Sequence, residues 1–325
     1  MPAAPLAALV CLWLAWPVSA GPPPGQRTTG PAPAAPVPAD SPAAPVPSAI
    51  SSAPTVPAGP EPAPEHPLRL RLAVDVPVVA LGLAIGLGSE LAGKEQVWTG
   101  CAACDVARIN ALDRGVIGNA DHAARTYSDI GLYTAVALPF ALDLGDALLQ
   151  RARDGSAARS RHMRGWAIDA VVLLETFAVT YAATNLVKFA VRRPRPYSYD
   201  ADSEVGDPTA NDARLSFFSG HSSLSFAMAA AYASLFAARH PRSRWVAPVW
   251  VIGMTLASTT AIARVAAGKH FWTDILVGAA VGSATGVAIP ALHRRRTTDP
   301  HRRVTLGLGL APGRTGSLLL VQGRF

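Results

Sequence analysis

The sequence predicts an all-α protein, a bundle of about six transmembrane helices with a short β-hairpin at the C-terminus. Half of its residues are hydrophobic and only 16% are charged, a balance typical of a membrane-embedded or very apolar helical protein. Gly and Ala are frequent in the last three apolar segments, as expected where helices approach closely inside a membrane. A tightly packed soluble bundle would use the same small residues and is the alternative.

The N-terminal part of the chain is predicted to lie outside the bundle. Residues 1–20 end in Val18-Ser19-Ala20, the small-x-small pattern that precedes signal-peptidase cleavage, and we interpret them as a signal peptide. An uncleaved anchor is the alternative, because this segment contains no Lys or Arg. Residues 21–67 repeat Pro, Ala, Val and Ser, and they predict a disordered linker because they offer too few large apolar side chains to bury.

Six apolar segments make up the predicted folded domain, residues 68–297. They span roughly 72–90, 129–148, 166–187, 222–238, 245–263 and 275–292. As a helix the third would be ~33 Å long, enough to cross a hydrocarbon core of ~30 Å, whereas the fourth is marginal at ~25 Å. Asp169 and Glu175 lie in the third segment, where a membrane tolerates them only if they face the interior of the bundle.

Residues 298–325 form the predicted C-terminal tail. Two short runs of strand-forming residues flank a Pro-Gly pair there, and they predict the hairpin. Because one hairpin cannot close a membrane barrel, we expect it to pack on the bundle or to pair with residues 68–74.

The charges of the connecting segments predict which helix ends lie together. Arginines follow the second, fourth and sixth apolar segments: Arg151, Arg153, Arg159, Arg161, Arg164, Arg239, Arg242, Arg244, Arg294, Arg295 and Arg296. By the positive-inside rule these arginines are cytoplasmic, so the loops at 101–104, 188–221 and 264–274 share the outer side. A cleaved signal peptide would invert this order if the first segment spans. An uncleaved anchor, an incompletely spanning first segment or a non-spanning periplasmic bundle would each remove the conflict.

The net charge and the cysteines restrict the partners and the chemistry. The charge of +7 does not indicate nucleic-acid binding, because the arginines form short clusters without an aromatic-interleaved basic face, so we expect anionic lipid or phosphate. Cys101 and Cys104 form a C-A-A-C pair, and an exported location favours a disulfide or free structural thiols. A zinc site would require two more ligands.

Three blocks of residues carry the candidate chemistry. They are Lys188 with Arg195-Pro196, then Ser219-Gly220-His221, then Arg264 with His270 and Asp274. Their spacing, K-x6-R-P, S-G-H and R-x5-H-x3-D, resembles the three-block signature of the type 2 phosphatidic acid phosphatase (PAP2) family, over roughly residues 125–292. That family includes membrane lipid phosphatases, secreted class A acid phosphatases and vanadium haloperoxidases. Phe218 and Ala263 depart from the commonest form, which has Pro and Ser there.

The resemblance implies a helical phosphatase that needs no metal or other cofactor. Lys188, Arg195 and Arg264 are expected to surround the phosphate with Ser219 and Gly220, because a phosphoryl group in transfer requires several fixed cations. His270 would be the nucleophile, oriented by Asp274 four residues later. His221 would protonate the leaving oxygen and then activate water. Arg192, Arg193 and His240 stay outside this predicted site.

The sequence thus predicts a phosphatase that hydrolyses phosphomonoester or pyrophosphate groups of membrane lipids through a phosphohistidine, in the inner membrane with a periplasmic active site. Phosphatidic acid, phosphatidylglycerol phosphate, undecaprenyl pyrophosphate and lipid A phosphates are all permitted by the resemblance. The first alternative is a soluble periplasmic or secreted acid phosphatase acting on small phosphomonoesters. Vanadium-dependent peroxide chemistry and a non-catalytic protein that binds lipid head groups are the others.

Overall fold

The computed structural model describes residues 66–94, 104–154, 158–200, 202–207, 210–295, 306–313 and 316–323. Seven α-helices lie in this part of the chain: α1 Leu72–Gly88, α2 Ala111–Arg114, α3 His122–Asp154, α4 Arg159–Val191, α5 Gly220–Arg239, α6 Val246–Ala266 and α7 Trp272–His293. Each of the six apolar segments forms a long helix, so the predicted helical bundle is confirmed. The predicted signal peptide and linker lie outside the described residues.

Short turns and one pair of strands complete the described elements. A π-helical turn, Ser89–Gly93, follows α1, and 3-10 turns occur at Val106–Arg108, Pro196–Tyr199 and Asn211–Arg214. Near the C-terminus, β1 (Leu306–Gly313) pairs antiparallel with β2 (Gly316–Gly323).

Helix α5 lies at the centre of the bundle and packs against α3, α4, α6 and α7. Its sequence explains this position, because small residues cover much of its surface and leave room for four neighbours. Ala227, Met228, Ala230 and Leu235 of α5 are fully buried, and Leu173 of α4 packs into the same core. The N-terminal residues of α5 therefore lie among the ends of several other helices.

A row of glycines lets α7 approach the backbone of α5. Gly278, Gly282 and Gly286 are spaced four apart and lie on one face of α7, against α5. A Cβ atom added at Gly278 would lie 2.8 Å from the carbonyl oxygen of Ser219, which is too close for any side chain. This contact fixes the start of α5 against the start of α7, where the motif residues lie.

Among the described residues, five helices are long and apolar enough to cross a membrane. These segments are Leu72–Gly93, His122–Asp154, Arg159–Tyr199, Val246–Ala266 and Trp272–His293. Only 17% to 50% of the residues in their most apolar stretches are buried inside the protein. The apolar surface of this bundle therefore faces outward, as expected for helices surrounded by lipid.

The acidic residues of α4 face the protein interior. Asp169 is fully buried, and its carboxylate lies 3.0 Å from Nε of Arg239. Glu175 is only 6% exposed and contacts His293 of α7. Because neither carboxylate points toward the outer surface, their presence does not argue against a membrane location.

Long helices that follow one another along the chain run in opposite directions, so the motif-bearing loops meet at one end of the bundle. At that end the backbone N–H of Ser219 donates to the carbonyl of Asp274 at 3.1 Å. At the other end Arg239 contacts Asp169, and the backbone N–H of Arg69 donates to the carbonyl of His293 at 2.8 Å. The arginine-rich connections at the ends of α3, α5 and α7 belong to this second end.

Candidate active site

The structure brings the eight predicted site residues together at one end of the bundle. Lys188 lies in the last turn of α4, and Arg195 follows that helix. Ser219 and His221 lie at the start of α5, and Arg264 lies in the last turn of α6. Their side chains face a common interior: Lys188, Arg195, Ser219, Arg264, His270 and Asp274 are all at most 9% exposed.

The His270 ring is held by a cation that fixes its tautomer. Nη1 of Arg195 lies 3.2 Å from Nε2 of His270. Since a guanidinium can only donate, Nε2 carries the lone pair and the proton of the neutral ring is on Nδ1. Nδ1 lies 3.7 Å from Oδ2 of Asp274, beyond hydrogen-bond distance. The lone pair of the ring is therefore on the nitrogen that faces Arg195.

The four-residue spacing of His270 and Asp274 would place both on one face of a helix, but the structure arranges them differently. Helix α7 begins at Trp272, so His270 precedes the helix and the two residues do not share a helical face. The Asp274 carboxylate instead caps the helix and accepts hydrogen bonds from the Phe271 backbone N–H at 2.9 Å and from the Ser216 hydroxyl at 2.6 Å. The turn before α7, rather than the helical repeat, places the ring next to this fixed carboxylate.

Arg193, which the sequence analysis left out, anchors Asp274. Its Nη1 donates to Oδ1 of Asp274 at 2.6 Å and to the Thr273 hydroxyl at 2.7 Å. Its Nη2 donates to Oδ2 of Asp113 at 2.8 Å, and the guanidinium stacks 4.2 Å from the centre of the Phe271 ring. The sequence R-R-P-R-P at residues 192–196 indicates a basic cluster near the site, but it does not show which arginine points inward.

Asp113 is a second site residue that sequence reasoning missed. It is fully buried and accepts hydrogen bonds from the backbone N–H and the hydroxyl of Thr273, at 3.0 and 2.6 Å. Burial alone would raise the pKa of Asp113, but the hydrogen bonds from Arg193 and Thr273 outweigh burial and lower it. Asp113 is therefore an ionised carboxylate that fastens α2 and Arg193 to the start of α7.

A third missed carboxylate, Asp129 of α3, contacts the second histidine. Nε2 of His221 lies 2.8 Å from Oδ1 of Asp129, and Nη1 of Arg264 lies 3.2 Å from the same oxygen. Burial and the positive charge of Arg264 lower the pKa of His221 to about 3, whereas Asp129 acts in the opposite direction. In the substrate-free protein His221 is thus neutral, and a bound anion would favour its protonation.

Two of the three predicted cations, Arg264 and Lys188, retain donors for an anion. Nε of Arg264 is buried and has no hydrogen-bond partner among the described residues. The ammonium group of Lys188 is buried, and the two carboxylates that act on its charge, Asp212 and Glu90, contact Arg195 and Lys94. Arg195 pairs with Asp212 at 2.6 Å, and the cations Arg195, Lys188 and Lys94 outweigh burial and lower the pKa of Asp212 to about 2. Such spare, desolvated donors are what a bound phosphate requires.

The start of α5 adds backbone donors to this group. Ser219 is the N-cap residue, and its hydroxyl accepts a long hydrogen bond from the Ser222 backbone N–H at 3.4 Å. A Cβ atom added at Gly220 would lie 3.5 Å from Nζ of Lys188, so the first turn of α5 borders the lysine directly. The positive end of the helix and the ammonium group therefore act on the same space.

The electrostatic environment favours an anion and disfavours a metal ion. Burial, then Arg195, Arg264, Lys188 and His221, lowers the pKa of the His270 imidazole well below its usual range. The ring is consequently neutral and able to act as a nucleophile at neutral pH. A divalent cation held by His270 and His221 would be repelled by the three surrounding cations, so the donor set does not suit a catalytic metal.

The match to a known family agrees with this geometry. Residues 169–298 match the model of the PAP2 superfamily. Over this part, the chain is similar to the PAP2 superfamily. The PAP2 match contains all eight predicted site residues, whereas Asp113 and Asp129 lie before it. The resemblance predicted from the three motif blocks is thereby confirmed.

A solved structure is similar to part of this chain. It is the crystal structure of a transmembrane PAP2 type phosphatidylglycerolphosphate phosphatase from Bacillus subtilis, with 17% sequence identity and a TM-score of 0.41. The similarity covers 67% of this chain and 94% of that chain.

The predicted cysteine pair precedes the PAP2 match. Cys104 is disulfide-bonded. Cys101, its predicted partner, lies outside the described residues, so the pairing itself stays a prediction.

Proposed function

We propose that the protein is a membrane-bound phosphatase that removes phosphate from lipid phosphomonoesters or pyrophosphates through a phosphohistidine at His270. The observation that carries this proposal is the position of the His270 lone pair, on a neutral buried ring that three cations surround. The PAP2 superfamily match over the same residues supports the assignment.

In the first step, a substrate phosphate binds among Lys188, Arg195 and Arg264 and displaces the Arg195 N–H group from Nε2 of His270. The Nε2 lone pair attacks phosphorus, and the bond between phosphorus and the leaving oxygen breaks. The negative phosphate raises the pKa of His221, so this ring gains a proton and transfers it to the leaving oxygen. Asp274 stabilises the positive charge that develops on His270.

In the second step, His221 is neutral and accepts a proton from water as the water oxygen attacks the phosphohistidine. The bond between phosphorus and nitrogen breaks, and inorganic phosphate leaves. The three cations act in both steps, because each transition state spreads negative charge over the equatorial oxygens. Arg193 and Asp113 take part indirectly by holding Asp274 in place.

A lipid substrate follows from the outer surface of the bundle. Leu81 of α1, Ile252 of α6 and Leu276 of α7 are more than half exposed, as are other apolar residues on these helices. A soluble protein would bury such faces or cover them with a partner, whereas a lipid environment satisfies them. In a membrane, the head group of a lipid phosphate can reach the helix ends while its hydrocarbon tail stays among the lipids.

We place the active site on the periplasmic side of the inner membrane. At the active-site end, three arginines are engaged in the site, since Arg193, Arg195 and Arg264 all contact carboxylates. The connections at the opposite end carry the other arginine clusters, the arrangement that the positive-inside rule assigns to the cytoplasm.

The decisive experiment compares His270→Ala with wild type on a panel of lipid and soluble phosphates, using purified protein in detergent. We expect His270→Ala to lose turnover and the acid-labile phosphoenzyme, and wild type to prefer lipid phosphates. His221→Ala should form the phosphoenzyme from a substrate with a good leaving group and should hydrolyse it slowly. His162→Ala, at the arginine-rich end, is the matched control and should retain full activity. Undiminished turnover in His270→Ala would refute the mechanism.

A further inference from the structure

A second polar cluster lies inside the bundle, away from the active site. It consists of Asp75 of α1, Glu175 of α4 and His293 of α7, which are 3%, 6% and 8% exposed. Nε2 of His293 lies 3.2 Å from Oε2 of Glu175 and 3.5 Å from Oδ1 of Asp75. One donor atom from each residue lies within 4.8 Å of the other two. Three helices thus bring three metal-ligating side chains to one point.

Each side chain directs a free electron pair into the cluster. Nδ1 of His293 donates to the carbonyl of Ile289 at 2.9 Å, so Nε2 of the neutral ring presents its lone pair to the carboxylates. Oδ2 of Asp75 accepts from the Arg71 backbone N–H at 2.6 Å, which leaves Oδ1 for the cluster. Oε2 of Glu175 is buried and lacks a hydrogen-bond partner within the described part of the chain.

The charges of the cluster are incompletely balanced by protein groups. In the described residues, neither Asp75 nor Glu175 forms an ion pair with a lysine or arginine, and their shared partner is His293. Two buried carboxylates that share one histidine as their partner leave negative charge uncompensated inside the bundle, which is costly. A divalent cation would neutralise both carboxylates with the ring uncharged.

The two distances from Nε2 of His293 suit a small transition-metal ion. Zinc bonds of ~2.0 to 2.1 Å in tetrahedral geometry place neighbouring ligand atoms ~3.3 to 3.4 Å apart. The two observed distances from Nε2, 3.2 and 3.5 Å, bracket this value. The bond from Nδ1 to the Ile289 carbonyl is the outer contact that typically fixes the tautomer of a metal-bound histidine.

We propose that Asp75, Glu175 and His293 form a binding site for a divalent transition-metal ion of the zinc type, with water as the fourth ligand. The ion fastens α1 to α4 and α7. It plays no part in the proposed phosphatase reaction, because Glu175 precedes Lys188 by thirteen residues of the same helix, about 20 Å along its axis. Its role is to stabilise the fold at the end of the bundle opposite the active site.

The test measures zinc bound to the full-length protein in detergent. Purified protein is stripped with EDTA, incubated with zinc, freed of unbound ion and analysed by mass spectrometry. We expect about one zinc per chain in wild type and at least about tenfold weaker binding in Glu175→Gln and His293→Ala. Asp154→Asn removes a carboxylate at a more exposed position and is the matched control, expected to bind like wild type.

A second measurement on wild type avoids dependence on the folding of the variants. Cobalt added to stripped wild-type protein should give the strong visible absorption of a tetrahedral site, and zinc should abolish it. Zinc should also raise the melting temperature of wild type and of Asp154→Asn. Absence of both zinc binding and the cobalt spectrum in wild type would overturn the proposal. Equal zinc binding by folded Glu175→Gln, His293→Ala and wild type would overturn it too.

Discussion

Asp129 holds His221 through a contact of 2.8 Å between its Oδ1 atom and Nε2 of the ring. The same oxygen lies 3.2 Å from Nη1 of Arg264, so one carboxylate joins the proposed acid-base residue to one of the phosphate-binding cations. Burial and Arg264 favour the neutral form of His221, and Asp129 favours the protonated form. The proton affinity of His221 therefore depends on a residue of α3, outside the part of the chain that matches the family.

Replacing Asp129 should change the pH dependence of catalysis. His221 must be protonated to donate to the leaving oxygen, and Asp129→Asn removes a charge that stabilises this protonated form. The pKa of His221 then falls, so the alkaline limb of the kcat profile should move to lower pH by about one unit. Asp105→Asn, an exposed carboxylate, is the control and should leave the profile in place. If the alkaline limb of the kcat profile of Asp129→Asn lies at the same pH as in wild type, Asp129 does not control the pKa of His221.

Arg193 should matter for both stability and turnover. Arg193→Ala leaves the buried carboxylates of Asp113 and Asp274 without their shared cation, which should lower the free energy of unfolding by about 3 to 5 kcal/mol. The folded fraction should show a clear loss of kcat, because Asp274 is no longer fixed beside His270. Arg192→Ala, at the exposed neighbouring arginine, is the control. Near-wild-type values for Arg193→Ala in both denaturation and kinetics would contradict this role.

The contact between α5 and α7 should be sensitive to a single methyl group. A Cβ atom at Gly278 would lie 2.8 Å from the carbonyl oxygen of Ser219, so Gly278→Ala must push the start of α5 away from α7. We expect a loss of stability of about 1 to 3 kcal/mol together with reduced kcat, since His221 moves with α5. At Gly145 a Cβ atom meets nothing within 4 Å, so Gly145→Ala should be neutral or stabilising. Thermal melts and steady-state rates compare the two variants.

Chelation should separate catalysis from stability. The proposed reaction uses protein cations alone, so EDTA should leave initial rates of the folded enzyme unchanged at low temperature. The same treatment should lower the melting temperature of wild type if the cluster around Glu175 binds zinc, and it should not change that of Glu175→Gln. An immediate loss of activity on adding EDTA to folded enzyme would contradict metal-independent catalysis.

Much of the bundle and the central site follows from local sequence patterns. Hydrophobic runs identify the long helices, and fixed spacings within each block identify Lys188, His221 and His270. The spacing of two residues predicts their geometry poorly when a helix begins between them. This is the case for His270 and Asp274, because α7 begins at Trp272. There the carboxylate caps the helix, a role that the four-residue spacing does not predict.

The residues that sequence reasoning missed all act over long separations. Arg193 lies 81 residues before Asp274, and Asp129 lies 92 residues before His221. These contacts depend on which helices become neighbours and on how each is rotated, which a single sequence does not reveal. Asp113 has no motif of its own, and its role depends entirely on burial against the start of α7.

The glycine row of α7 separates the packing of the active site from the surface that faces the lipid. Main-chain atoms, rather than interlocking side chains, determine how far apart the two imidazoles are. Substitutions on the outward faces of α1 and α6 can therefore adapt the protein to bilayers of different thickness or composition while the reacting groups keep their separation. Such tolerance would allow homologues with dissimilar exteriors to share one catalytic geometry.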